Sequence, residues 1–493
     1  MPVRRLFGWG GRQVRRALIL VGACLLTLLV VRAWDSQRGA PLEAWHILVP
    51  RELPREAIEE AGWNGYLAAE ERLLREMRET VSRRLDPKDR IPLNRYFEGS
   101  PAYPAHLPRD WNRSYVLEPE GPAQGAAVFL HGLTDSPYSL RHLARRYAAR
   151  GFVAIAPRLP AHGTVPGALT AVEWEDWMAA TRMALREARR RAGPGAPVHL
   201  VGFSNGAALA LMQALDMLEA GDPEPVARIV LVSPMVGVTA FARFARLAGL
   251  PAVFPAFAKA AWLSISPEFN PFKYNSFPVN GARQSWLLTD VLRQRLARLA
   301  REGRLGPLPP VLTFQSVMDA TVSTAAVLDG LYARLPANGS ELVLFDINRA
   351  TRLGPLFRPA SETALERLLP PPPRRYRVTV LSNRSPDEAG MAEESLAAGE
   401  TALRRQPLEL DYPPDIYSLS HIALPFPVTD ALYGLKPDPE EDFGIRLGDI
   451  APRGERNTLV VDLDSLLRVS SNPFFPYLIG RVEEGIAPAP PAR

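Results

Sequence analysis

The feature that most constrains this chain is a serine between two glycines, set between an apolar run and a helix-forming stretch. The apolar run 198–201 leads into Gly202-Phe203-Ser204-Asn205-Gly206, and residues 207–212 are alanine, leucine and methionine. This order predicts a sharp strand-to-helix turn, a nucleophile elbow, that holds the serine hydroxyl clear of the sheet. Glycines are needed beside it because side chains would clash at so tight a turn. Ser204 is therefore predicted to be a catalytic nucleophile; the alternative is a glycine-rich turn without chemistry.

A serine hydroxyl becomes a good nucleophile only when a base takes its proton, and histidine is the usual base. The histidines lie at positions 46, 106, 131, 142, 162, 199 and 421. In an architecture built on this elbow, the base follows both the nucleophile and the acid along the chain. Only His421 follows Ser204, in a loop-like stretch bounded by prolines. We predict His421 as the base; the alternative is a loop histidine without a role.

The acid that orients the histidine is expected just past the end of a strand. Asp319 follows the apolar run 311–315, and Asp346 follows the run 342–345. We predict Asp319 as the acid and keep Asp346 as the second candidate. For either residue the alternative is an aspartate that caps a turn.

The oxyanion of an acyl-transfer reaction needs two preorganised N–H donors. One is expected from the backbone of Asn205, directly after the nucleophile, and the other from Leu133, in the loop after the first core strand. Gly132 permits the turn that would point the Leu133 N–H inward. Two other histidines, His131 and His162, are interpreted as braces of their loops. A third, at position 199, is interpreted as a core residue because it stands in a buried strand.

Apolar runs and amphipathic helical stretches alternate along the middle of the chain. Strand-like runs occur at 126–130, 152–156, 198–201, 229–232, 311–314 and 342–345. Helical patterns separate them, at 136–150, 174–191, 207 onward and 323–334. Buried strands that alternate with helices predict an α/β fold with a mostly parallel sheet covered by helices on both faces.

Composition divides the chain into four predicted regions. They are a basic N-terminus with a membrane anchor or signal at 1–35, a stalk and helical extension at 36–113, the α/β domain at 114–430, and a C-terminal extension with a Pro-rich tail at 431–493.

Two insertions interrupt the α/β alternation. The first, about 236–308, is predicted to be a helical cap and a lid over an acyl pocket, because its first half is rich in large apolar side chains. These side chains are Phe241, Phe244, Leu247, Leu250, Val253, Phe254, Phe257 and Trp262. The second insertion, about 350–415, contains four consecutive prolines at 370–373 and one predicted strand at 376–381.

The net charge of +5 is concentrated at the N-terminus. Six arginines and no acidic residue occur in the first 34 positions, and the rest of the chain has 52 basic and 53 acidic residues. The body is therefore near neutral, and we expect no nucleic-acid partner because such a surface needs a basic stripe. The only cysteine is Cys24, so the body can form neither a disulfide nor a thiolate metal site. We expect no metal and no cofactor.

An apolar run at 17–31 follows five of these arginines and precedes the sixth, Arg32. It predicts an uncleaved single-pass anchor in a bacterial inner membrane, and the positive-inside rule places the body on the extracytoplasmic side. Two alternatives are open. Val21-Gly22-Ala23-Cys24 loosely resembles a lipoprotein processing box, and Arg4-Arg5-Leu6-Phe7 loosely resembles a twin-arginine signal.

Four motifs, in this order, resemble the α/β-hydrolase superfamily. They are His131-Gly132-Leu133, Leu159-Pro160-Ala161-His162-Gly163, Gly202-Phe203-Ser204-Asn205-Gly206 and Val317-Met318-Asp319-Ala320-Thr321-Val322. The resemblance is closest to bacterial carboxylesterases and monoacylglycerol lipases and covers about 125–349 plus His421. It implies an α/β-hydrolase fold and hydrolysis through an acyl-enzyme with Ser204, His421 and Asp319. The chain departs from the family pattern in the long insertion before His421 and in Ser316, where a glycine is usual.

The function expected from these features is a membrane-anchored serine esterase or lipase acting on a small acyl ester or a lipid. A serine peptidase of the same fold is one alternative. A non-catalytic envelope scaffold is another, and the presence of all three candidate catalytic residues argues against it.

Overall fold

Ten strands form one twisted sheet in the computed structural model, which describes residues 3–38, 40–237, 252, 254–449, 467–468 and 470–486. The strands of the sheet are β1 Tyr115–Leu117, β2 Gly125–Leu130, β3 Phe152–Ala156, β4 Val198–Phe203, β5 Arg228–Val232, β8 Val311–Ser316, β9 Glu341–Phe345, β10 Arg377–Asn383, β11 Gly390–Leu396 and β12 Arg404–Asp411. A separate ribbon pairs β6 Trp262–Ser264 with β7 Phe277–Pro278.

The strand order is β1-β3-β2-β4-β5-β8-β9-β10-β11-β12. The seven strands from β3 to β10 pair in parallel, whereas β1, β11 and β12 pair antiparallel at the two sides. The predicted α/β class with a mostly parallel sheet is therefore confirmed. All carboxyl ends of the parallel strands lie at one edge, which is where such folds carry their sites.

Helices cover both faces of the sheet. The helices of the described residues, in chain order, are α1 Val3–Arg38, α2 Ala44–Ile47, α3 Arg55–Thr80, α4 Arg141–Ala149, α5 Trp174–Ala192, α6 Asn205–Ala220, α7 Val279–Arg301, α8 Thr324–Val327, α9 Pro359–Glu362, α10 Ala364–Leu368 and α11 Phe475–Glu483. One hydrophobic core contains the buried sides of α3, α5, α6 and α7, and the other contains those of α4 and α11. Much of the apolar content of the chain is therefore buried between the sheet and the helices on its two faces.

The second insertion belongs to the main sheet. Strand β10 lies parallel to β9, with Leu342 opposite Val378, and β11 and β12 follow as antiparallel neighbours. The predicted strand at 376–381 corresponds to β10, whereas β11 and β12 were not expected because their residues are largely polar. Arg404–Asp411 is mostly exposed, as befits an edge strand.

The segment after residue 430 also packs on the domain. Phe474 stacks on Phe345 of β9 with ring centroids 5.9 Å apart, and α11 buries Leu478 and Val482. The boundary drawn at residue 430 remains a prediction, but the residues beyond it share the second hydrophobic core. The Pro-rich tail from 487 lies outside the described residues.

The N-terminal helix contains a candidate membrane span. Its residues Gln13–Trp34 have a mean hydropathy of 2.3 and are long and apolar enough to cross a membrane, a property that signal sequences share. Near the C-terminal end of α1, the Gln37 amide donates a hydrogen bond of 2.8 Å to the Ala256 carbonyl, and Arg32 donates to the carbonyl of Trp262. The helix therefore ends against the described part of the predicted cap. Most of the apolar residues assigned to the lid (Phe241, Phe244, Leu247, Leu250 and Val253) lie outside the described residues.

Candidate active site

Ser204 occupies the turn between β4 and α6 in a conformation that serine rarely adopts, with φ 53° and ψ −115°. The two flanking glycines make this turn possible. A Cβ on Gly206 would lie 1.9 Å from the Leu130 carbonyl oxygen, and one on Gly202 would lie 2.5 Å from the Ala207 Cα. Only glycine fits at either position, and the turn has the sharp strand-to-helix geometry that the motif predicted. Such strain in the backbone is typical of functional turns.

A chain of two hydrogen bonds links the three side chains predicted to be catalytic. His421 Nε2 lies 3.0 Å from Ser204 Oγ, and His421 Nδ1 lies 2.9 Å from Asp319 Oδ2. All three side chains are shielded from solvent. The imidazole is therefore oriented by a carboxylate on one side and bonded to a hydroxyl on the other, which is the geometry that proton transfer from serine requires.

Asp319 is held ionised by its surroundings. Its Oδ1 accepts the backbone N–H groups of Thr321 at 2.8 Å and Val322 at 3.0 Å, and Gln315 donates to Oδ2 at 3.2 Å. Burial alone would raise the pKa of Asp319, but His421 and the two N–H groups hold it below its usual value. A buried carboxylate in this state can stabilise an imidazolium.

Asp346, the second candidate for the acid, lies elsewhere. Its carboxylate is 3.2 Å from the Arg349 guanidinium, and its N–H donates to the Leu381 carbonyl of β10 at 3.0 Å. Burial raises the pKa of Asp346 above its usual value. The structure therefore brings Asp319, and not Asp346, to the histidine.

His421 arrives at the site on a strap that leaves β12. Asn348, just after β9, holds this strap, because its backbone N–H donates to the Tyr417 carbonyl at 2.9 Å and its amide donates to the carbonyls of Pro413 and Ile416. The Phe203 ring stacks on the imidazole with centroids 5.2 Å apart. The three added strands thus account for the long sequence between β9 and the histidine.

The residues predicted to bind the oxyanion lie next to the serine. Asn205 is the first residue of α6, where backbone N–H groups have no acceptor inside the helix. Gly132, which precedes Leu133, is so close to the elbow that a Cβ on it would lie 3.3 Å from Ser204 Cβ. The Asn205 side chain has a partner of its own, because its Oδ1 accepts a hydrogen bond of 3.1 Å from the Ser285 hydroxyl. The backbone N–H of Asn205 is therefore the group expected to bind the oxyanion.

Two buried histidines brace the loop of Leu133 and the neighbouring 158–163 loop. The Leu159 N–H donates to His131 Nε2 at 3.0 Å, which leaves His131 Nδ1 to donate to the Gly132 carbonyl at 2.9 Å. His162 Nδ1 bonds to the Pro160 carbonyl at 3.0 Å. Burial lowers the pKa of His162 to about 4 and that of His131 well below its usual value, so both rings are neutral at pH 7. These contacts agree with bracing, as the sequence suggested.

Sequence reasoning missed the clamp that holds this brace in place. The Arg158 guanidinium binds both carboxylate oxygens of Glu52 at 2.8 Å, contacts Glu70 at 3.2 Å and donates to the His162 carbonyl at 2.9 Å. Glu52 also accepts the Ala161 N–H at 2.8 Å. The stalk and α3 thus fix the 158–163 loop, and through it the loop of Leu133. The only sequence signal was an arginine next to a strand end.

One group of carboxylates away from this site could attract a cation. Oxygen atoms of Glu43, Asp86 and Asp89 lie within 4.8 Å of one another. The Lys88 ammonium already donates to both oxygens of Glu43, at 2.8 and 3.0 Å. The group is therefore neutralised in part by the protein itself.

Comparison with known proteins gives one family match. The model of the Alpha/beta hydrolase family matches residues 127–405. A thermostable monoacylglycerol lipase of Bacillus sp. (strain H-257) is 31% identical over 87 residues, which are 18% of this chain and 34% of that protein. The chain therefore spans about a third of that curated relative.

Comparison with solved structures gives matches that include lipolytic enzymes. One, reported with the metagenome-derived enzymes LipS and LipT, is 22% identical and covers 53% of this chain and 98% of its own, with a TM-score of 0.38. The monoacylglycerol lipase of Paleococcus ferrophilus is 16% identical, with coverages of 52% and 97% and a TM-score of 0.35. The monoglyceride lipase of Saccharomyces cerevisiae is 13% identical, with coverages of 47% and 81% and a TM-score of 0.34.

Proposed function

Because this chain belongs to the alpha/beta hydrolase family, we propose that it is a serine hydrolase that cleaves carboxylic esters through an acyl-enzyme. Ser204 is the nucleophile, His421 the general base and Asp319 the residue that orients the base. The observation that carries this proposal is the continuous hydrogen-bonded chain from Ser204 Oγ through His421 to Asp319.

The first half of the reaction acylates the serine. Ser204 Oγ attacks the ester carbonyl carbon while His421 Nε2 takes the hydroxyl proton, and the negative charge moves to the carbonyl oxygen. When the carbonyl re-forms, the bond to the alcohol oxygen breaks and His421 returns the proton to that oxygen. The alcohol leaves, and the acyl group stays on Ser204.

The second half repeats these steps with water. His421 takes a proton from water, the resulting hydroxide attacks the acyl carbon, and His421 returns the proton to Ser204 Oγ as the carboxylic acid departs. In both halves the backbone N–H groups of Leu133 and Asn205 donate to the oxyanion. Removing one such donor typically costs about 10²–10³ in rate, so the position of the Leu133 loop matters to the chemistry.

The physiological ester is a lipid-like molecule at a membrane surface. Supporting this proposal, α1 contains a candidate span whose end contacts the described cap segment, and the Bacillus relative is named a monoacylglycerol lipase. The span anchors the chain in a bacterial inner membrane, and its preceding arginines keep the N-terminus in the cytoplasm with the catalytic domain outside.

The test is hydrolysis of p-nitrophenyl acyl esters of increasing chain length by the full chain in detergent. We expect Ser204-dependent turnover that favours acyl chains longer than acetate, and none of comparable rate on peptide p-nitroanilides. Ser204→Ala should abolish turnover. Ser233→Ala is the matched control, since Ser233 also follows a strand with positive φ, at 42°, and its buried hydroxyl has no partner among the described residues.

Two results would contradict the proposal. Equal activity of wild type and Ser204→Ala would end the nucleophile assignment. Faster Ser204-dependent cleavage of the anilides than of the esters would favour the peptidase alternative.

A further inference from the structure

A cavity of about 170 Å³ lies beside the strap that contains the catalytic histidine. One of its lining residues is Ile422, the direct neighbour of His421, and others are Asn270, Asn275 and Tyr433. Two further lining residues are the cations Lys273 and Arg468. We call this cavity the cationic pocket.

Contacts on three sides tie the cationic pocket to the site. The Tyr274 N–H donates to the Thr134 carbonyl, in the loop of Leu133, at 2.7 Å. The Arg468 guanidinium donates to Thr321, in the loop of Asp319, at 2.5 Å, and the Arg468 carbonyl accepts a hydrogen bond of 2.6 Å from Ser420. The pocket is therefore built from segments that also hold the oxyanion loop, the acid and the base.

The charge of the pocket is positive. Among the described residues that line it, none is acidic. Burial lowers the pKa of Lys273, and the negative charge of the buried Asp135 opposes that shift. Burial raises the pKa of Asp135 to about 6, an effect that Lys273 opposes. The charged side chains among the described lining residues are therefore those of Lys273 and Arg468, both of them cations.

We propose that the cationic pocket binds an anionic group on the alcohol part of the ester substrate. The inference rests on the proposed function and sharpens it by naming a substrate class. His421 gives its proton to the leaving oxygen, so the alcohol lies on the side of the imidazole, where Ile422 and Arg468 border the pocket. A lysine and an arginine together are suited to a phosphate, to which they donate charge-assisted hydrogen bonds.

The experiment compares two soluble esters that differ only in this anion, 1-butyrylglycerol and 1-butyrylglycerol 3-phosphate. Release of butyrate by the full chain in non-ionic detergent is measured for each. We expect kcat/KM to be about tenfold higher for the phosphate ester, the size of effect that one partly buried charge pair supplies. Equal kcat/KM values for the two esters would overturn the inference while leaving ester hydrolysis intact.

Substitutions in the pocket test the cause of this preference. Lys273→Met should lower the ratio of the two kcat/KM values about tenfold, Arg468→Gln should lower it less, and Lys273→Arg should keep it. Lys436→Met is the matched control, because Lys436 is exposed and outside the pocket. If Lys273→Arg lost the preference as fully as Lys273→Met, packing rather than charge would be responsible and the inference would fail.

A binding measurement separates this inference from the catalytic one. Ser204→Ala should bind glycerol 3-phosphate in calorimetry, and the double variant with Lys273→Met should bind it about tenfold more weakly. Binding of this kind without hydrolysis of either ester would retain the pocket and reject the ester-hydrolase proposal. Inorganic phosphate that binds as tightly as glycerol 3-phosphate would mark a general anion site and overturn the substrate assignment.

Discussion

The two edges of the parallel sheet each contain a histidine and a cavity, but the two histidines have different bonding partners. At the carboxyl edge, His421 lies between a serine and an acid. At the amino edge, a larger cavity of about 550 Å³ is lined by His199, Arg228 and Glu341. The His199 ring bonds to the Tyr147 hydroxyl at 3.1 Å, and burial lowers its pKa to about 3. The size of a cavity and the presence of a histidine are therefore poor indicators of an active site. The hydrogen-bond partners of the histidine and its position at the carboxyl ends of the parallel strands are better ones.

The two ends of the chain serve these two edges differently. At the carboxyl edge, Glu52 and Glu70 from the N-terminal extension clamp Arg158 beside the site. At the amino edge, the Arg228 guanidinium donates weakly to the carbonyls at the end of α11, and Arg481 of that helix pairs with Glu341. The N-terminal extension thus holds the loop next to the candidate site, whereas the C-terminal helix α11 packs at the amino ends of the strands.

The largest difference between the two edges is expected for the catalytic rate of variants at their histidines. His421→Ala should lower kcat about 10⁴-fold, because it removes the imidazole that lies 3.0 Å from the serine hydroxyl and would take its proton. His199→Ala should keep kcat within a few-fold and cost about 1–3 kcal/mol of stability, since it leaves a cavity in the core. Ester hydrolysis and urea unfolding measure the two outcomes. A catalytic loss in His199→Ala as large as that in His421→Ala would break the distinction between the edges.

The second prediction compares two aspartates at the carboxyl edge. Asp319→Asn should lower kcat by about 10³–10⁴, because the imidazole loses the carboxylate that sets its tautomer. Asp346→Asn should leave kcat within a few-fold, since Asp346 pairs with Arg349 and not with the histidine. Steady-state kinetics on one ester checks both. If Asp346→Asn were the slower enzyme, the acid would have to be reassigned.

The third prediction concerns the clamp. Arg158→Met should destabilise the protein by about 3–5 kcal/mol, because removing one partner leaves Glu70 as an unpaired buried charge. Burial already raises the pKa of Glu70, and Arg158 opposes that shift. The control is Arg55→Met, which breaks a more exposed pair with Glu173 and should cost no more than about 1 kcal/mol. Urea unfolding of both variants measures the difference.

A clamp that positions the Leu133 loop should also affect catalysis. Arg158→Met assayed well below its unfolding midpoint should lower kcat more than it raises KM, because the oxyanion forms only in the transition state. An unchanged kcat in the folded variant would reduce the clamp to a stabilising role.

The smallest predicted effect is the pH dependence that comes from His199. Folding lowers the pKa of His199 from 6.5 to about 3, so the unfolded chain binds the proton more readily. The neutral histidine contributes stability that is fully present above pH 6.5 and is lost as the pH falls towards 3. Relative to wild type, His199→Phe should gain about 2 kcal/mol of stability between pH 7.5 and pH 5. Parallel stability profiles of the two proteins would contradict this.

The local pattern was enough to predict much of the fold and the side chains that meet at the site. Gly202 and Gly206 are dictated by sterics within a few residues, and the seven parallel strands repeat one apolar pattern. The elimination of other histidines pointed to His421 before any geometry was known. These inferences succeed because each depends on short segments and on chain order, which a linear sequence displays.

Features that depend on distant partners were not predictable in this way. Strands β11 and β12 are polar and obtain their structure from pairing with β10. Arg158 and Glu52 are 106 positions apart, and neither has an environment that its neighbours in sequence reveal. Lys273 likewise lies in the first insertion, and its place in the cationic pocket depends on how that segment folds over the sheet. Contacts of this kind appear when the chain is folded and leave no periodic pattern.

The spacing of the hydrogen-bonded triad has a consequence for how the protein acquires activity. Ser204 and His421 are 217 positions apart, and Asp319 and His421 are 102 apart. Contacts between such distant positions form late, because the closure of long loops has to precede them. Strands β10 to β12 have to pair before the strap can bring the imidazole to the serine, so the three side chains meet only after the chain has been made beyond residue 421. Recovery of turnover on refolding should therefore lag behind recovery of helical signal, which makes the serine a reporter of completed assembly.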